Sequence, residues 1–376
     1  MICKIADNIY SPLGTTTAEN FANVKQGRSA LRSYAEAMEL PEPFTASLFD
    51  WDVVELIEGY THFESIVIQS VKRALQQTSI DAASPKVLFV ISTTKGNVEL
   101  LDTVRSAHYQ ADRVLVGTTA RLITSYFKNP NPPVVVSNAC ISGLCAQITA
   151  MRALESGCYD TAIVVGADVQ SRFIISGFES FKALSHEQCR PFDLERVGLN
   201  LGEAAATIIY NNVENDSYNG RDWQAVRGAV RNDAYHISSP SRKGEGCYRA
   251  LRAVMQDEQT DDIAFINVHG TSTLYNDEME SAAIDRAGML QVPVNSLKGH
   301  YGHTMGAAGV LETVLSMKAL DEGIVLGTHG FESLGVSHPV NISAQNRTTD
   351  KQAFVKLLSG FGGCNAAMLF RKGGEL

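Results

Sequence analysis

In Val134-Val135-Val136-Ser137-Asn138-Ala139-Cys140-Ile141-Ser142-Gly143, three consecutive β-branched residues predict a buried strand and Ser-Asn-Ala-Cys a sharp turn. The Ala-rich run from Leu144 to Gly157 predicts a helix that a glycine ends. Cys140 then falls at a helix N-terminus, where free N–H groups and partial positive charge favour thiolate over thiol. Two readings of Cys140 are open from this stretch: a nucleophile, or a small apolar residue of the core.

Outward from it the chain alternates strand and helix. Thr16 to Gly27 and Tyr60 to Gln77 predict helices, the second with Ile66, Ile68, Val71 and Leu75 at core spacing. Val87 to Thr93 predicts a central strand ending in the loop Thr94-Lys95-Gly96-Asn97, followed by a helix over Val98 to Ala111. Thr161 to Ala167 predicts another buried strand. Such alternation implies parallel strands with helices on the sheet faces.

The later half repeats the earlier. Pro293-Val294-Asn295-Ser296, a Gly-rich turn and a helix over Gly306 to Ala319 echo strand, turn and helix around Cys140. Met317-Lys318-Ala319-Leu320-Asp321-Glu322-Gly323 matches Met151-Arg152-Ala153-Leu154-Glu155-Ser156-Gly157, and each copy is expected to enter an apolar strand soon after. An internal duplication follows, with halves 1–211 and 212–376 and a polar, Gly-containing linker near Asn211 to Gly220.

The 376 residues, 44% hydrophobic and 19% charged, are enough for a large core in two halves, and the net charge of -9 argues against a nucleic-acid-binding surface. An acidic partner protein would need a local basic patch. Seven cysteines, odd in number and without CxxC spacing, form neither a disulfide framework nor a zinc ribbon. Reduced thiols in a cytoplasmic protein are the simplest account. The start, Met1-Ile2-Cys3-Lys4-Ile5-Ala6-Asp7, lacks the pattern of a signal peptide, and no apolar stretch is long enough to span a bilayer.

Ile263 to Asn267 predicts a strand running into Val268-His269-Gly270-Thr271-Ser272-Thr273, so His269 sits at a strand end, where ligands of α/β sheets collect. There it is either a hydrogen-bonded interior histidine or a catalytic one. Lys298-Gly299-His300-Tyr301-Gly302-His303 precedes the second Ala-rich helix, which places His303 as Cys140 is placed in the other half. Zinc would want a close Cys pair that is absent, and the signatures of papain-like proteases do not flank Cys140.

Taken in order, these pieces resemble the elongating-type β-ketoacyl-[acyl-carrier-protein] synthases of the thiolase superfamily. The resemblance rests on Ser11-Pro12-Leu13-Gly14, Ser92-Thr93-Thr94-Lys95-Gly96-Asn97, Ala139-Cys140-Ile141-Ser142-Gly143, Arg190-Pro191-Phe192-Asp193 and Gly202-Glu203-Ala204. It continues through His269-Gly270-Thr271-Ser272-Thr273, Asn276-Asp277 with Glu280, Lys298 with His303, Gly306-Ala307-Ala308-Gly309, and Ser359-Gly360-Phe361-Gly362-Gly363. It implies a thiolase-like α/β fold of two pseudo-duplicated halves in five αβαβα layers.

For the site, the resemblance implies that Cys140 accepts the acyl group and that its N–H and that of Phe361 form the oxyanion hole. It implies that His269 and His303 stabilise the enolate left when malonyl thioester loses carbon dioxide. Lys298 is expected in a buried ion pair with Glu280, Thr271 and Thr273 on the pantetheine arm, and Phe361 as a gate beside the acyl pocket. No metal or bound cofactor is implied; the phosphopantetheine arm of an acyl carrier protein delivers substrates. The product is a 3-oxoacyl carrier thioester, in fatty-acid or specialised polyene or polyketide lipid synthesis.

A homodimer is expected, paired through the strand Thr161 to Ala167, or a heterodimer with a related subunit. The alternative is a non-catalytic, chain-length-factor-like partner of another synthase, a class that characteristically lacks the nucleophilic cysteine. Asn138 stands where the family usually has Thr, and Leu297 where Thr is common.

Overall fold

The structure, a computed structural model, describes residues 1–35, 38, 40, 42–101, 108–213 and 222–373. In the first half the strands are β1 (Ile2–Tyr10), β2 (Arg32–Tyr34), β3 (Phe44–Ser47), β4 (Val87–Ser92), β5 (Val134–Val136), β6 (Thr161–Asp168), β7 (Leu201–Gly202) and β8 (Ala204–Asn212). The second half supplies β9 (Trp223–Asn232), β10 (Ile263–Asn267), β11 (Pro293–Asn295), β12 (Ile324–Val325), β13 (Asn341–Ile342), β14 (Arg347–Thr348), β15 (Ala353–Gly360) and β16 (Cys364–Lys372).

The described helices of nine residues or more are α1 (Thr17–Lys25), α2 (His62–Leu75), α3 (Val116–Tyr126), α4 (Ser142–Glu155), α5 (Arg172–Ser180), α6 (Glu245–Met255), α7 (Leu274–Arg286) and α8 (Ala308–Asp321), and a single helical turn, Lys298–Tyr301, precedes α8. Capping boxes start two of them: Thr16 with Glu19 on α1, and Thr61 with Glu64 on α2. Gly27, at φ +76°, follows the end of α1 as the sequence indicated.

Strand order carries the duplication. Hydrogen bonding joins β13-β11-β10-β15-β16-β9-β1-β8-β6-β4-β5, and outward from the β9/β1 junction β16-β15-β10-β11 mirrors β8-β6-β4-β5. Directions mirror too, since β6 and β5 run parallel to β4 as β15 and β11 do to β10, while β8 and β16 are antiparallel to their neighbours. Only Cys3 and Gln224 pair across the junction, so two leaves form.

The leaves stack rather than extend one another. Helix α2 covers β1, β8 and β6 on one outside, and α6 covers β9 and β16 on the other. Between the leaves lie α4, against β4, β6, β9 and β16, and α8, against β6, β8 and β15. The result is the five-layered αβαβα thiolase-like body, with both central helices apolar around most of their circumference and buried accordingly. Glycine permits their crossing: a Cβ on Gly143 would meet the Gly306 carbonyl oxygen at 2.9 Å, and one on Gly309 the Leu144 nitrogen at 2.4 Å.

Two expectations need correction. The strand Thr161 to Ala167 is no edge: β6 is paired on both sides, by β4 and β8, and each of its residues is buried. Among the described residues the free edge of that leaf is β5, whose three valines are half-buried. The apolar strand expected after α8 is present as β12; among the described residues it pairs with β14 in a small ribbon, and the counterpart of β6 in the sheet order is β15, some thirty residues further on.

Neither described end of the helix expected over Val98 to Ala111 is α-helical: Val98–Leu101 and Ala111–Val114 are 3₁₀ turns, and the middle of the expected helix, 102–107, lies outside the described residues. Buried Asn97 ties the two ends together, donating to Glu64 Oε1 at 2.8 Å and to the Arg113 carbonyl at 3.1 Å. Of the expected linker, 214–221 also lie outside the described residues.

Candidate active site

Cys140 lies between β5 and α4, in a turn that Ala139 makes with φ +45°, a left-handed conformation costly for a residue with a Cβ. Ser142 ties the turn, accepting the Asn138 N–H at 2.8 Å and donating to the Ala139 carbonyl at 2.6 Å. The end of β15 presses against it, and a Cβ on Gly360 would stand 3.1 Å from the Cys140 nitrogen. Burial raises the thiol pKa, while the N–H of Phe361, Lys95, Lys298 and the N–H of Cys140 itself act to lower it. Two amides therefore converge beside the sulfur, the arrangement an oxyanion hole requires.

His269 ends β10 in a loop that carboxylates of α7 hold from behind. Glu280 accepts the N–H groups of His269 and Gly270, each at 2.7 Å, and Asp277 accepts those of Thr271 and Ser272 at 3.0 and 3.1 Å. The loop turns sharply at Gly270 and Ser272, at φ +47° and +66°; a Cβ on Gly270 would meet the Ser296 Cβ at 2.6 Å. His303 is held by the other half, donating its N–H to the Asn200 carbonyl at 2.7 Å and accepting that of Gly202 on its carbonyl at 3.0 Å.

The three side chains meet. Reactive atoms of Cys140, His269 and His303 lie within 4.8 Å of one another, all buried, and the imidazoles stand edge to face with centroids 4.9 Å apart. His303 Nδ1 accepts the Met305 N–H at 3.4 Å, which puts the proton of a neutral ring on Nε2. That Nε2, like His269 Nδ1, is buried without a partner among the described residues. Burial first, and then Lys298, depresses both imidazole pKa values well below the ordinary one, so both rings are neutral near pH 7.

Lys298 does not pair with Glu280. Both Glu280 oxygens are taken by backbone N–H groups, with Asn276 adding a third donor, and Lys298 bonds instead to Glu312 of α8. The other Glu312 oxygen faces Lys356 Nζ at 2.7 Å. Lys356, wholly buried, also donates to the carbonyls of Asn267, Val268 and Leu357 at 3.3, 3.3 and 3.0 Å. Sequence reasoning passed over both residues, although each is a lone charge in an apolar run, Leu311-Glu312-Thr313-Val314 and Phe354-Val355-Lys356-Leu357. Three ammonium groups thus bear on the centre, which disfavours a dication among the Cys and His groups.

Two cavities open on Cys140. One, about 270 Å³, is lined by His269, His303, Thr271 and Thr273, whose hydroxyls lie 3.1 Å apart. The other, about 350 Å³, is lined by Lys95, Ile174, Phe178 and Met305. Phe361 borders both, with Phe178 and Phe181 rings 5.8 and 5.5 Å away. Every predicted site residue therefore gathers at this centre, with Glu280 supporting the His269 loop rather than Lys298.

The sequence matches the β-ketoacyl synthase N-terminal domain over residues 61–215 and its C-terminal domain over 225–332. It is 26% identical to 3-oxoacyl-[acyl-carrier-protein] synthase 2 of Vibrio harveyi, over 97% of this chain and 96% of that one. It is 29% identical to nodulation protein E of Rhizobium leguminosarum bv. trifolii, over 73% and 70%. In fold it superposes with a TM-score of 0.87 on a chain of the ketosynthase ApeO in complex with its chain length factor ApeC from Xenorhabdus doucetiae, at 24% identity over 99% and 98% of the two chains.

Proposed function

Because this chain belongs to the β-ketoacyl synthase family, we propose that it condenses an acyl group with a malonyl carrier thioester, using Cys140 as nucleophile. The Cys140 sulfur attacks the acyl thioester carbonyl, the N–H groups of Cys140 and Phe361 receive the oxyanion, the bond from the carbonyl to the carrier sulfur breaks, and the thiol proton of Cys140 leaves with that sulfur as the free carrier thiol. The malonyl group, its pantetheine arm against Thr271 and Thr273, then loses carbon dioxide. The electron pair of the broken C–C bond passes into an enolate, whose oxygen takes hydrogen bonds from the two neutral imidazoles. The enolate carbon attacks the acyl-Cys140 carbonyl, the C–S bond breaks, and the 3-oxoacyl carrier thioester leaves.

The observation that carries this reading is the pair of buried imidazoles beside the Cys140 sulfur, each with a ring nitrogen that has no partner among the described residues. Buried polar atoms without partners are costly, and an incoming enolate oxygen supplies what they lack. The test is turnover of carboxyl-labelled malonyl carrier with an acyl carrier partner: Cys140→Ala should lose condensation by about a thousandfold or more. Undiminished condensation in that variant would refute the proposal. A chain-length-factor-like role fits the fold, but the retained Cys140 speaks for catalysis.

The carrier is an acidic acyl carrier protein in this reading, and the partner subunit a second copy or a related chain, joined at the β5 edge. The halves 1–211 and 212–376 contribute the thiol and the imidazoles respectively. Seven unpaired thiols fit a cytoplasmic protein, and among the described residues no helix is long and apolar enough to cross a membrane.

A further inference from the structure

The second cavity is almost entirely hydrocarbon, yet one wall carries a cation. Phe173, Ile174, Phe178, Phe181, Met305 and Phe361 supply an apolar lining; Lys95 closes the end of β4 against it. Its direction is fixed from the backbone, since Thr93 Oγ1 accepts the N–H groups of Lys95 and Gly96 at 3.3 and 2.8 Å and Gly96 turns at φ +56°.

The ammonium stays with the cavity. Nζ donates to Thr94 Oγ1 at 3.1 Å and lies 4.0 Å from Met305 Sδ, two atoms of residues that line the same space. A lysine at an apolar wall ordinarily extends its head to water. Lys95 is half-buried, its head turned along the cavity wall, and among the described residues no carboxylate lies within ion-pair distance of it. Asp168, the nearby acid, is spent: it accepts Thr93 Oγ1, Thr94 N–H, Thr94 Oγ1 and Gly306 N–H at 2.7 to 3.2 Å. An ammonium has three donors, of which one meets a good acceptor and one faces a weak thioether.

The geometry points to Lys95 as a specificity-determining residue that selects acyl groups carrying an oxygen acceptor, a carboxylate or a phenolic oxygen, beyond an apolar or aromatic segment. The apolar segment packs on the phenylalanines while the oxygen takes the unused ammonium donors. A plain alkyl chain of equal length leaves those donors stripped of water and unmatched. This inference rests on the condensing reading only in that the acyl group enters the cavity from Cys140.

The test separates the two. Non-reactive acyl-pantetheine amides are titrated calorimetrically into the full chain in matched pairs, 7-carboxyheptanoyl against octanoyl and 4-hydroxybenzoyl against benzoyl. In at least one pair the oxygen-bearing member should bind about tenfold or more tightly, the size of one charge-assisted hydrogen bond. Lys95→Met, which keeps the length of the side chain and removes its charge, should erase that preference while the oxygen-free members still bind. Which pair responds tells carboxylate from phenol. Equal binding within both wild-type pairs, or a preference that survives Lys95→Met, overturns the proposal. Turnover of labelled malonyl carrier is measured beside it, and its failure would count against the condensing reading alone.

Discussion

At the residue scale the site is governed by charges taken out of water in an unequal set: two ammoniums, Lys298 and Lys356, share one carboxylate, Glu312. Burial pushes the Glu312 carboxyl up, but the two lysines outweigh it and hold the group below its ordinary pKa. Glu312→Gln would leave both cations buried without the carboxylate they bond to, so the expected loss is about 3–5 kcal/mol in urea unfolding. A change under 1 kcal/mol would mean that water or another group neutralises them. His300 is a second case. Burial lowers its pKa to about 4, although its Nδ1 lies 2.7 Å from the Arg28 carbonyl. Between pH 6.5 and 4 the unfolded chain binds a proton there that the folded chain refuses, so stability falls as pH falls through that window. Raised carboxyls, Asp277 to about 6 and Glu280 to about 7, act in the opposite sense, so a variant must isolate the histidine. Whatever margin wild type holds over His300→Gln at pH 7.5 should shrink by about 2 kcal/mol at pH 5, read from paired urea midpoints.

At the scale of elements, glycine positions tell packed crossings from open helix faces. Gly143→Ala drives a methyl into the Gly306 carbonyl and the Gly309 backbone where α4 meets α8, and should cost about 1–3 kcal/mol. Gly177→Ala in α5 meets nothing within 4 Å and should leave stability level or raise it by about 0.5–1 kcal/mol, since alanine costs less backbone entropy in a helix. Thermal melts of the two variants would check the contrast, and equal melting points would contradict it. Helices α2 and α4 and strands β4, β6 and β10 were legible because each is a long run with one periodicity and a recognisable stop. The three-stranded ribbon β2-β3-β7 was not, its strands being two to four residues long and set by contacts distant in sequence. The same limit explains the site. Cys140, His269 and His303 stand in loops with local signatures, whereas the partner of Lys298 was decided by which helix faces it in space. Glu280 was expected opposite Lys298, yet its oxygens serve the His269 loop, as do those of Asp277.

At the scale of the whole molecule, the unfinished feature is the β5 edge. Val134–Val136 ends the eleven-stranded order with three half-buried valines, and Cys140 follows four residues later. Nearby, the second cavity is bordered by Phe173 and Phe181, which are 60% and 57% exposed. A short, uncharged, apolar edge is what soluble proteins protect by pairing it or by placing a lysine there. Pairing two such edges about a two-fold axis would bury the valines. The expected mass by light scattering is therefore twice 40.8 kDa for wild type. Val134→Lys should bring it toward the single-chain value, because desolvating an ammonium at the seam costs more than one valine contact returns. A wild-type chain that runs at 40.8 kDa would remove self-pairing and leave a related subunit as the one candidate for that edge.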